Sequence, residues 1–384
     1  MKIAILHSYM DNIGGSEIVA LTLARELNAD IYTTNIHKDR IIEMGFKDVV
    51  DRIHSIGKVP IQAPFRHQMA LLRFRMLNLR HMYSFFIISG DWAMSGGVHN
   101  YPNIWYVHSP LHEIWAFVDK IKQIIPKWQH GIYTLWLHIN RLLTVSYSKH
   151  IQGWVCNSTN TQERIKKYYG SNADVIHPPT YTSEYSPKSP KDYWLSVNRL
   201  NANKRVEIQL QAFSELPHEK LIIVGSYEKG AKQFETYKAY LESIKPSNVE
   251  FLHWVKKEDL IKLYSECKGH IITSEREDFG MTAIEAMASG KYVIAPHEGG
   301  YKETIQDGIT GRLIKHVNKD TLKTAVIESD TLLQSNSHDF EKSCMEQALR
   351  YDTRVFTEKI KEKINSVLDS THEKKQKLNT QKRN

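Results

Sequence analysis

The 384-residue sequence has no apolar run that approaches the roughly 18 residues needed to span a bilayer, so an integral membrane protein is not expected. Its three cysteines (Cys156, Cys267 and Cys344) have no paired spacing, which argues against a disulfide framework and against a zinc site. The first residues, MKIAILHSY, lack the apolar region and the cleavage site of a signal peptide. The expected location is therefore the cytoplasm.

Several motifs for nucleotides and metals are also missing. No two glycines are separated by a single residue, so the GxGxxG motif of dinucleotide-dependent dehydrogenases is absent. Gly225 and Gly230 have P-loop spacing, but Ala231 follows where that loop needs a lysine. No DxD pair of acidic ligands occurs, so neither a metal nor another cofactor is expected. These absences weigh against a dehydrogenase, a P-loop phosphotransferase and a metal-dependent transferase.

Positive charge is concentrated in two parts of the chain. The net charge is +8, and the segment 374–384 supplies five positive residues with no acid. The rest of the chain is therefore only weakly basic, and nucleic acid is not an expected partner. Segment 52–90 carries one lysine and five arginines without an aspartate or glutamate, which indicates contact with something anionic.

Short apolar runs rich in β-branched residues alternate with helical patterns along most of the chain. This alternation is typical of βαβ units and parallel sheets. Strands are predicted at 3–7, 30–33, 85–89, 104–108, 154–157, 194–198, 221–225, 249–252, 270–274 and 292–296. Because the chain is long enough for two α/β domains, the pattern predicts two doubly wound sheets.

The boundary between the domains is predicted from proline content. Four of the twelve prolines lie within 177–192, which has neither helical nor alternating periodicity and is typical of a linker. The predicted organisation is an N-terminal domain at 1–178, a hinge at 179–192, a C-terminal domain at 193–345, a C-terminal helix at 346–370 packing back toward the first domain, and a disordered basic tail at 371–384.

The strongest candidate site follows the predicted strand 270–274, where EREDFG leads into a helical segment that ends at Gly290. Ligands of open parallel sheets bind at the carboxyl ends of strands, beside helix N-termini. The backbone amides of 279–282 are therefore expected to face a diphosphate. Gly280 leaves room for that approach, Glu285 can accept hydrogen bonds from ribose hydroxyls, and Glu277 can bind sugar hydroxyls. The alternative is that Glu277 and Asp278 only stabilise a helix N-terminus.

A second candidate lies in LSVNRLNANKRVE, where Arg199 and Lys204 follow the end of a predicted strand. A forked guanidinium beside a compact ammonium can neutralise a nucleoside diphosphate. The alternative is a solvated basic turn. Arg205, the next residue, is expected to lie on the surface.

The segment EDFGMTAIEAMASGKYVIAPHEGG resembles the signature of glycosyltransferase family 4. The resemblance covers roughly residues 1–365 and is strongest over 193–315. It implies the GT-B fold, in which two Rossmann-like doubly wound domains face a cleft. It also implies that Glu277 contacts the donor hexose, that Glu285 contacts the ribose, and that Arg199 and Lys204 clamp the phosphates. The amides of Phe279, Gly280 and Met281, with Thr282 in the same turn, would contact the distal phosphate and the sugar.

Two segments of the first half extend this resemblance. In HSYMDNIGGSEIV, Gly14 and Gly15 resemble the loop whose amides approach the donor phosphate, and Asp11 matches a position that faces the acceptor in some relatives. The alternative for Asp11 is a turn or helix cap. In IWYVHSPLHEIW, His108 resembles the histidine that reaches the donor sugar, and the phrase is closest to the mannosyltransferase branch. The alternative is a structural histidine.

Two further stretches mix basic and large apolar residues: FRHQMALLRFRMLNLRHMY at 65–83 and KIKQIIPKWQHGIYTLWLHINRLL at 120–143. Such stretches are typical of contact with an anionic membrane surface. The alternative is ordinary core packing with a solvated charged face. The hypothesis is a peripheral enzyme on the inner face of the membrane that uses a lipid-linked acceptor.

The predicted function is retaining transfer of a hexose from a nucleoside diphosphate sugar, with GDP-mannose favoured, to a lipid-linked, oligosaccharide or polysaccharide acceptor. The main alternative is a catalytically silent subunit that binds a sugar nucleotide or acts as a scaffold. An epimerase or a phosphorylase of the same architecture is a further alternative, although no pyridoxal-phosphate lysine motif is evident.

Overall fold

The computed structural model describes residues 1–12, 14–62, 64–225 and 232–381 and divides into two compact units. The first unit is Met1–His177 together with the chain from Phe356 onward, and the second is Pro178–Val355. The segment 179–192, predicted to be a separate hinge, thus groups with the second unit. Within that unit the Thr180 amide donates to the Tyr351 carbonyl at 3.0 Å and the Thr353 amide donates to the Thr180 carbonyl at 3.0 Å.

The first unit is built on a seven-stranded parallel sheet. Its strands are β1 (Ile3–Leu6), β2 (Asp30–Thr33), β3 (Ile53–Ser55), β4 (Phe85–Ile88), β5 (Asn103–Val107), β6 (Gly153–Cys156) and β7 (Asp174–Val175). They lie in the order β3-β2-β1-β4-β5-β6-β7. The chain runs outward from β1 to β3 and returns to β4 on the other side of β1, so the order reverses between β1 and β4. This is the Rossmann-like arrangement.

Helices follow most of these strands. They are α1 (Gly15–Glu26), α2 (Lys38–Glu43), α3 (Phe65–Met76), α4 (His112–Trp115), α5 (Val118–Ile124), α6 (His130–Ser148) and α7 (Thr159–Tyr169). Every residue of β1, β4, β5 and β6 is buried, because parallel strands in the middle of such a sheet are covered on both faces.

The second unit has a six-stranded parallel sheet. Its strands are β8 (Trp194–Val197), β9 (Leu221–Val224), β10 (Val249–Leu252), β11 (Gly269–Ile271), β12 (Tyr292–Pro296) and β13 (Gly311–Ile314). The order β10-β9-β8-β11-β12-β13 repeats that of the first sheet, with the reversal between β8 and β11. The prediction of two doubly wound sheets is confirmed.

The helices of this unit are α8 (Val206–Ser214), α9 (Lys232–Ile244), α10 (Lys257–Glu266), α11 (Met281–Ala288), α12 (Tyr301–Thr304) and α13 (Lys319–Leu349), and α14 (Thr353–Gln381) follows. The helix predicted at 346–370 is present as α14 and groups with the first unit from Phe356 onward, but its predicted start is wrong, because α13 ends at Leu349 and α14 begins at Thr353. The Asp352 carboxylate accepts the Arg354 amide at 2.9 Å and starts the new helix. The chain from 371 to 381, predicted to be disordered, is helical as far as Gln381.

All ten predicted strands are present within a few residues of their expected ends. The three strands that the sequence does not reveal, β3, β7 and β13, lie at sheet edges. Edge strands are short and exposed on one side, so their apolar signal is weak. All three cysteines are buried, and none of the three forms a disulfide bond. Among the described residues, none of the helices combines the length and the hydropathy that a membrane span requires.

Candidate functional site

The loops after β8 and β11 leave the second sheet where its strand order reverses, which is the ligand-binding position of an open parallel sheet. Lys204 lies in the loop after β8, and Glu277 lies in the loop after β11. The Lys204 Nζ atom is 2.6 Å from Glu277 Oε2, and both side chains are partly exposed. The structure therefore brings two of the predicted site residues into direct contact. Arg199 lies on the same loop as Lys204 with an exposed side chain.

The two loops are held together by backbone and side-chain hydrogen bonds. The Glu275 amide donates to the Asn203 carbonyl at 2.9 Å, and the Thr273 hydroxyl donates to the Lys204 carbonyl at 2.7 Å. Arg205 was expected to lie on the surface, and this is wrong. Its guanidinium donates to the Thr273 carbonyl at 2.6 Å and pairs with Glu298 at 2.8 Å, so it anchors the loop that carries Lys204.

The glycine pair after β12 explains the position of Glu277. Gly299 has φ +58°, and a Cβ there would lie 2.2 Å from the Glu277 carbonyl oxygen. A Cβ at Gly300 would lie 2.4 Å from the Phe279 Cα atom. The Gly300 amide donates to the Glu277 carbonyl at 3.1 Å. Only glycines allow the loop after β12 to pack this closely against the backbone of 277–279.

The start of α11 also depends on a glycine. Gly280 is the N-cap with φ +88°, and a Cβ there would lie 2.3 Å from the Tyr301 ring. The Tyr301 ring therefore fills the space beside Gly280. This space was expected to be open to a ligand, and that expectation is wrong. The Phe279 side chain is buried, 5.5 Å from the Tyr351 ring, so this residue can offer a ligand only its backbone. Met281 and Thr282 are half-buried in the first turn of α11, which has no side-chain cap.

Glu285 lies one turn further along α11. The Tyr264 hydroxyl donates to its carboxylate at 2.8 Å. Burial raises the pKa of Glu285 above its usual range, and the Tyr264 hydrogen bond opposes that rise. The Tyr185 ring packs edge-on against Tyr264 at 6.1 Å. Glu285 is thus a fixed hydrogen-bonding group.

In the first unit, His108 follows β5, next to the position where the strand order reverses. Its Nε2 atom lies 2.9 Å from the Ser89 hydroxyl, and its ring meets that of His7 edge-on at 6.5 Å. Burial, with a smaller contribution from His7, lowers the pKa of His108 to about 3. His108 is therefore a neutral imidazole at physiological pH, suited to hydrogen bonding.

The glycine pair of this unit begins α1. The Gly14 amide donates to Glu17 Oε2 at 2.8 Å, and Glu17 Oε1 lies 3.4 Å from His7 Nε2. The backbone of Gly14 is extended, with φ −135°. In this structure the Gly14 amide caps the helix through Glu17, whereas it was expected to face a phosphate. Gly15 is the first residue of α1.

Asp11 is held by residues from distant parts of the first unit. Its carboxylate pairs with Arg66 at 2.7 Å and accepts the Asn35 side-chain amide at 3.3 Å. The Arg66 guanidinium lies 3.9 Å from the Tyr9 ring centre. The Tyr9 hydroxyl is 3.1 Å from His67 Nδ1. Asp11 thus belongs to a partly exposed cluster of charged and aromatic side chains at the carboxyl end of β1.

Several residues of these clusters have no sequence signal that marks them. Tyr264 contacts Glu285 from another helix, and Arg66 contacts Asp11 from 55 residues away. Their roles depend on which elements the sheet places side by side. Among the described residues, no cluster of three His, Cys, Asp or Glu side chains is arranged to hold a metal ion.

Comparison with known proteins shows which family and which relatives this chain is similar to. Residues 180–343 match the model of the family described as Glycosyl transferases group 1. The chain is 24% identical over 311 residues to the alpha-1,3/1,6-mannosyltransferase ALG2 of Candida glabrata, covering 66% of this chain and 67% of the relative. It is 32% identical over 148 residues to ALG2 of Dictyostelium discoideum, covering 34% of this chain and 35% of the relative.

The fold has similar solved structures. The crystal structure of Anabaena HepE in complex with UDP and glucose aligns with a TM-score of 0.74 at 19% identity, covering 95% of this chain and all of that one. At this identity the likeness concerns the fold, which is GT-B. Together with the match over 180–343 and the two relatives, it leads to one conclusion: this is a transferase enzyme with the GT-B fold, similar to the group 1 glycosyltransferases.

Proposed function

We propose that this protein transfers a hexose from a nucleoside diphosphate sugar to an acceptor hydroxyl, with retention of configuration. The observation that carries this proposal is the contact between Lys204 and Glu277 at the reversal point of the second sheet. In this proposal the cation binds a phosphate and the carboxylate binds sugar hydroxyls, beside the start of α11.

The proposed donor site uses these groups in turn. Lys204 and Arg199 neutralise the diphosphate, together with the amides at the start of α11. When the phosphate forms an ion pair with Lys204, the Glu277 carboxylate loses its own ion pair with that lysine. It can then accept hydrogen bonds from the hexose. Glu285, held by Tyr264, accepts hydrogen bonds from the ribose. Donor binding thus exchanges the partners of Lys204 and Glu277, whereas Glu285 keeps its hydrogen bond from Tyr264.

The residues of the first unit are given two roles in this proposal. His108, neutral at physiological pH, forms a hydrogen bond with the donor sugar, and Asp11 binds the acceptor. Gly14 and Gly15 contribute the start of α1, although the Gly14 amide must then exchange Glu17 for the donor phosphate.

The proposed reaction proceeds on one face of the sugar. The bond between the anomeric carbon and the diphosphate oxygen breaks while the acceptor oxygen bonds to that carbon, and the departing phosphate oxygen takes the acceptor proton. Arg199 and Lys204 stabilise the negative charge that develops on the leaving group. No metal or other cofactor takes part in this proposal.

We propose mannose from GDP-mannose as the donor and a lipid-linked, oligosaccharide or polysaccharide acceptor at the inner face of the membrane. Two relatives are named mannosyltransferases, which supports the sugar. HepE was crystallised with UDP and glucose, so UDP-glucose is the natural competitor.

The test is a thermal-stability titration with GDP-mannose, UDP-glucose and UDP-N-acetylglucosamine. Only the true donor should raise the melting temperature with its concentration. Slow release of the free nucleoside diphosphate from that donor should accompany binding. Stabilisation without any such release, with or without added acceptors, would favour the silent binding subunit. Stabilisation by none of the three nucleotides would contradict the proposal.

A further inference from the structure

Large apolar side chains are exposed in one region of the first unit. Among the described residues, twelve of the twenty exposed large hydrophobic side chains fall between Ile61 and Leu142. Eight of them form two rows, Phe65, Met69, Leu72 and Met76 on α3, and Ile132, Leu135, Ile139 and Leu142 on α6. Single exposed apolar residues are ordinary on a protein surface, but contiguous groups of them mark a contact surface.

The spacing places each row on one side of its helix. Successive members are three or four residues apart, which aligns them along a single face. The opposite faces are already used by the interior of the unit, with Ala70, Leu71 and Phe74 of α3 and Leu137 of α6 buried. Each helix therefore has one apolar face in the core and a second one in solvent. Packing within the folded chain explains the apolar face in the core but not the one in solvent.

A side-chain hydrogen bond joins the two helices, and their inner faces share one core cluster. The Gln68 side-chain amide donates to the Asn140 side-chain carbonyl at 2.9 Å, from α3 to α6. Ala70, Leu71 and Leu137 belong to the same core cluster as Trp92. Because both inner faces meet this cluster, both outer rows lie on the side away from it. We name this surface of eight side chains the two-helix face.

The two helices and the chain beside them carry charged residues of one sign. Segments 52–90 and 120–162, which contain α3 and α6, hold no aspartate or glutamate. Lys127 and Lys149 are exposed just before and just after α6. Trp128, at the amino end of α6, is 73% exposed. Tryptophan and lysine beside an apolar surface are typical of the boundary between lipid and water.

We propose that the two-helix face docks on an anionic lipid bilayer, with its apolar rows in the headgroup and upper acyl region and the flanking lysines against lipid phosphates. An acidic protein partner would also match the lysines, but it would not account for eight exposed apolar side chains flanked by a tryptophan. The proposal deepens the proposed function, on whose membrane location it rests, although docking itself requires neither donor nor acceptor.

Sedimentation with vesicles tests this proposal on the full-length protein. We expect the protein to pellet with vesicles of phosphatidylcholine and phosphatidylglycerol at low salt, and to pellet less with phosphatidylcholine alone or at high salt. The triple variant Leu72→Ser/Leu135→Ser/Ile139→Ser should lower partitioning at least tenfold. Its melting temperature should not fall, because these side chains are exposed.

The matched control removes exposed apolar side chains elsewhere. Ile327→Ser/Leu332→Ser changes two such residues on α13 and should partition like the unmodified protein. Failure of the unmodified protein to pellet with anionic vesicles would overturn the proposal, as would unchanged partitioning of the triple variant. Light scattering could instead show a dimer that the triple substitution dissociates, with no binding to vesicles. The two-helix face would then be a contact with a second copy of the chain. Donor binding, measured separately, would be unaffected by either result.

Discussion

The Tyr264 hydroxyl donates a 2.8 Å hydrogen bond to the carboxylate of Glu285, and this tyrosine is fully buried. The pair joins α10 to α11 and orients the carboxylate that we assign to the ribose. Removing the hydroxyl leaves a buried carboxyl group without its donor, at a cost of about 1–3 kcal/mol.

Tyr264→Phe should therefore both destabilise the protein and weaken donor binding. We expect the Michaelis constant for the donor to rise several-fold while kcat changes little, measured by initial rates beside urea unfolding. Tyr193→Phe is the control, because it loses a comparable 2.9 Å hydrogen bond that goes to the Leu263 carbonyl and not to Glu285. The assignment of Glu285 is contradicted if the two variants have equal Michaelis constants.

Glu277→Ala should abolish transfer, with a loss of at least about a thousandfold, or ~4 kcal/mol of transition-state stabilisation. Lys204→Met should lower kcat by about a hundredfold or more, since it removes charge from the leaving phosphate. Folding should be nearly unaffected, because partly exposed ion pairs contribute about 0–1 kcal/mol. Single-turnover rates and denaturant unfolding measure the two effects.

The control for this pair is Glu215→Ala, which breaks ion pairs with Lys319 and Lys323 elsewhere in the same unit. It should retain full transfer activity. Full activity in Glu277→Ala would refute the site assignment whatever the control shows.

Gly280→Ala should destabilise the protein more than Gly308→Ala does. Both glycines have positive φ, at +88° and +79°, and an L residue in this region costs roughly 1–2 kcal/mol. Only at Gly280 would the new Cβ also meet a ring, 2.3 Å from Tyr301, whereas Gly308 has nothing within 4 Å. Urea midpoints would report the difference. Equal losses would mean that Tyr301 moves aside freely.

Stability should fall as the pH falls below about 6.5. Burial holds the pKa of His108 and of His270 at about 3, whereas an unfolded histidine takes up a proton near pH 6.5. Between these values the unfolded chain binds more protons, so each histidine removes up to about 1.4 kcal/mol per pH unit as the pH falls.

Urea unfolding at pH 7, 6 and 5 measures this slope. His108→Gln should flatten it, and His81→Gln, which changes an exposed histidine, should not. An unchanged slope in His108→Gln would show that this histidine is not kept neutral by folding.

Chelation of divalent metals should leave transfer unchanged, because Arg199, Lys204 and the start of α11 are proposed to neutralise the diphosphate. The measurement is the initial rate in EDTA, beside a sample in which Mg²⁺ or Mn²⁺ has been restored. A rate lost in EDTA and recovered with either metal would contradict the proposal.

The central strands of both sheets could be predicted from sequence because they are buried on both faces and appear as continuous apolar runs, as in β1, β4 and β12. The edge strands β3, β7 and β13 could not, because they are short and partly exposed. The break between α13 and α14 was also missed. It depends on a single capping aspartate within an otherwise helical pattern.

Part of the candidate site could likewise be predicted from sequence, and part of it could not. Glu277, Glu285, Arg199 and Lys204 could be selected from sequence, because they lie in loops and a helix start that follow apolar strands, and because their spacing resembles the signature of glycosyltransferase family 4. Their partners could not be selected. Arg205 was assigned to the surface, and yet it binds the Thr273 carbonyl and Glu298, since only the folded chain brings these loops together.

The sequence by itself thus determined the two parallel sheets and the loops that hold the charged residues. Continuous apolar runs indicate buried strands, and their alternation with helical patterns indicates that the strands are parallel. Only the tertiary structure decided that Lys204 contacts Glu277, 73 residues away, and that Tyr264 holds Glu285. Those contacts depend on the strand order that sets β11 beside β8. The outward apolar rows of α3 and α6 were decided in the same way, since a helix with two apolar faces does not show in its sequence which face the core takes.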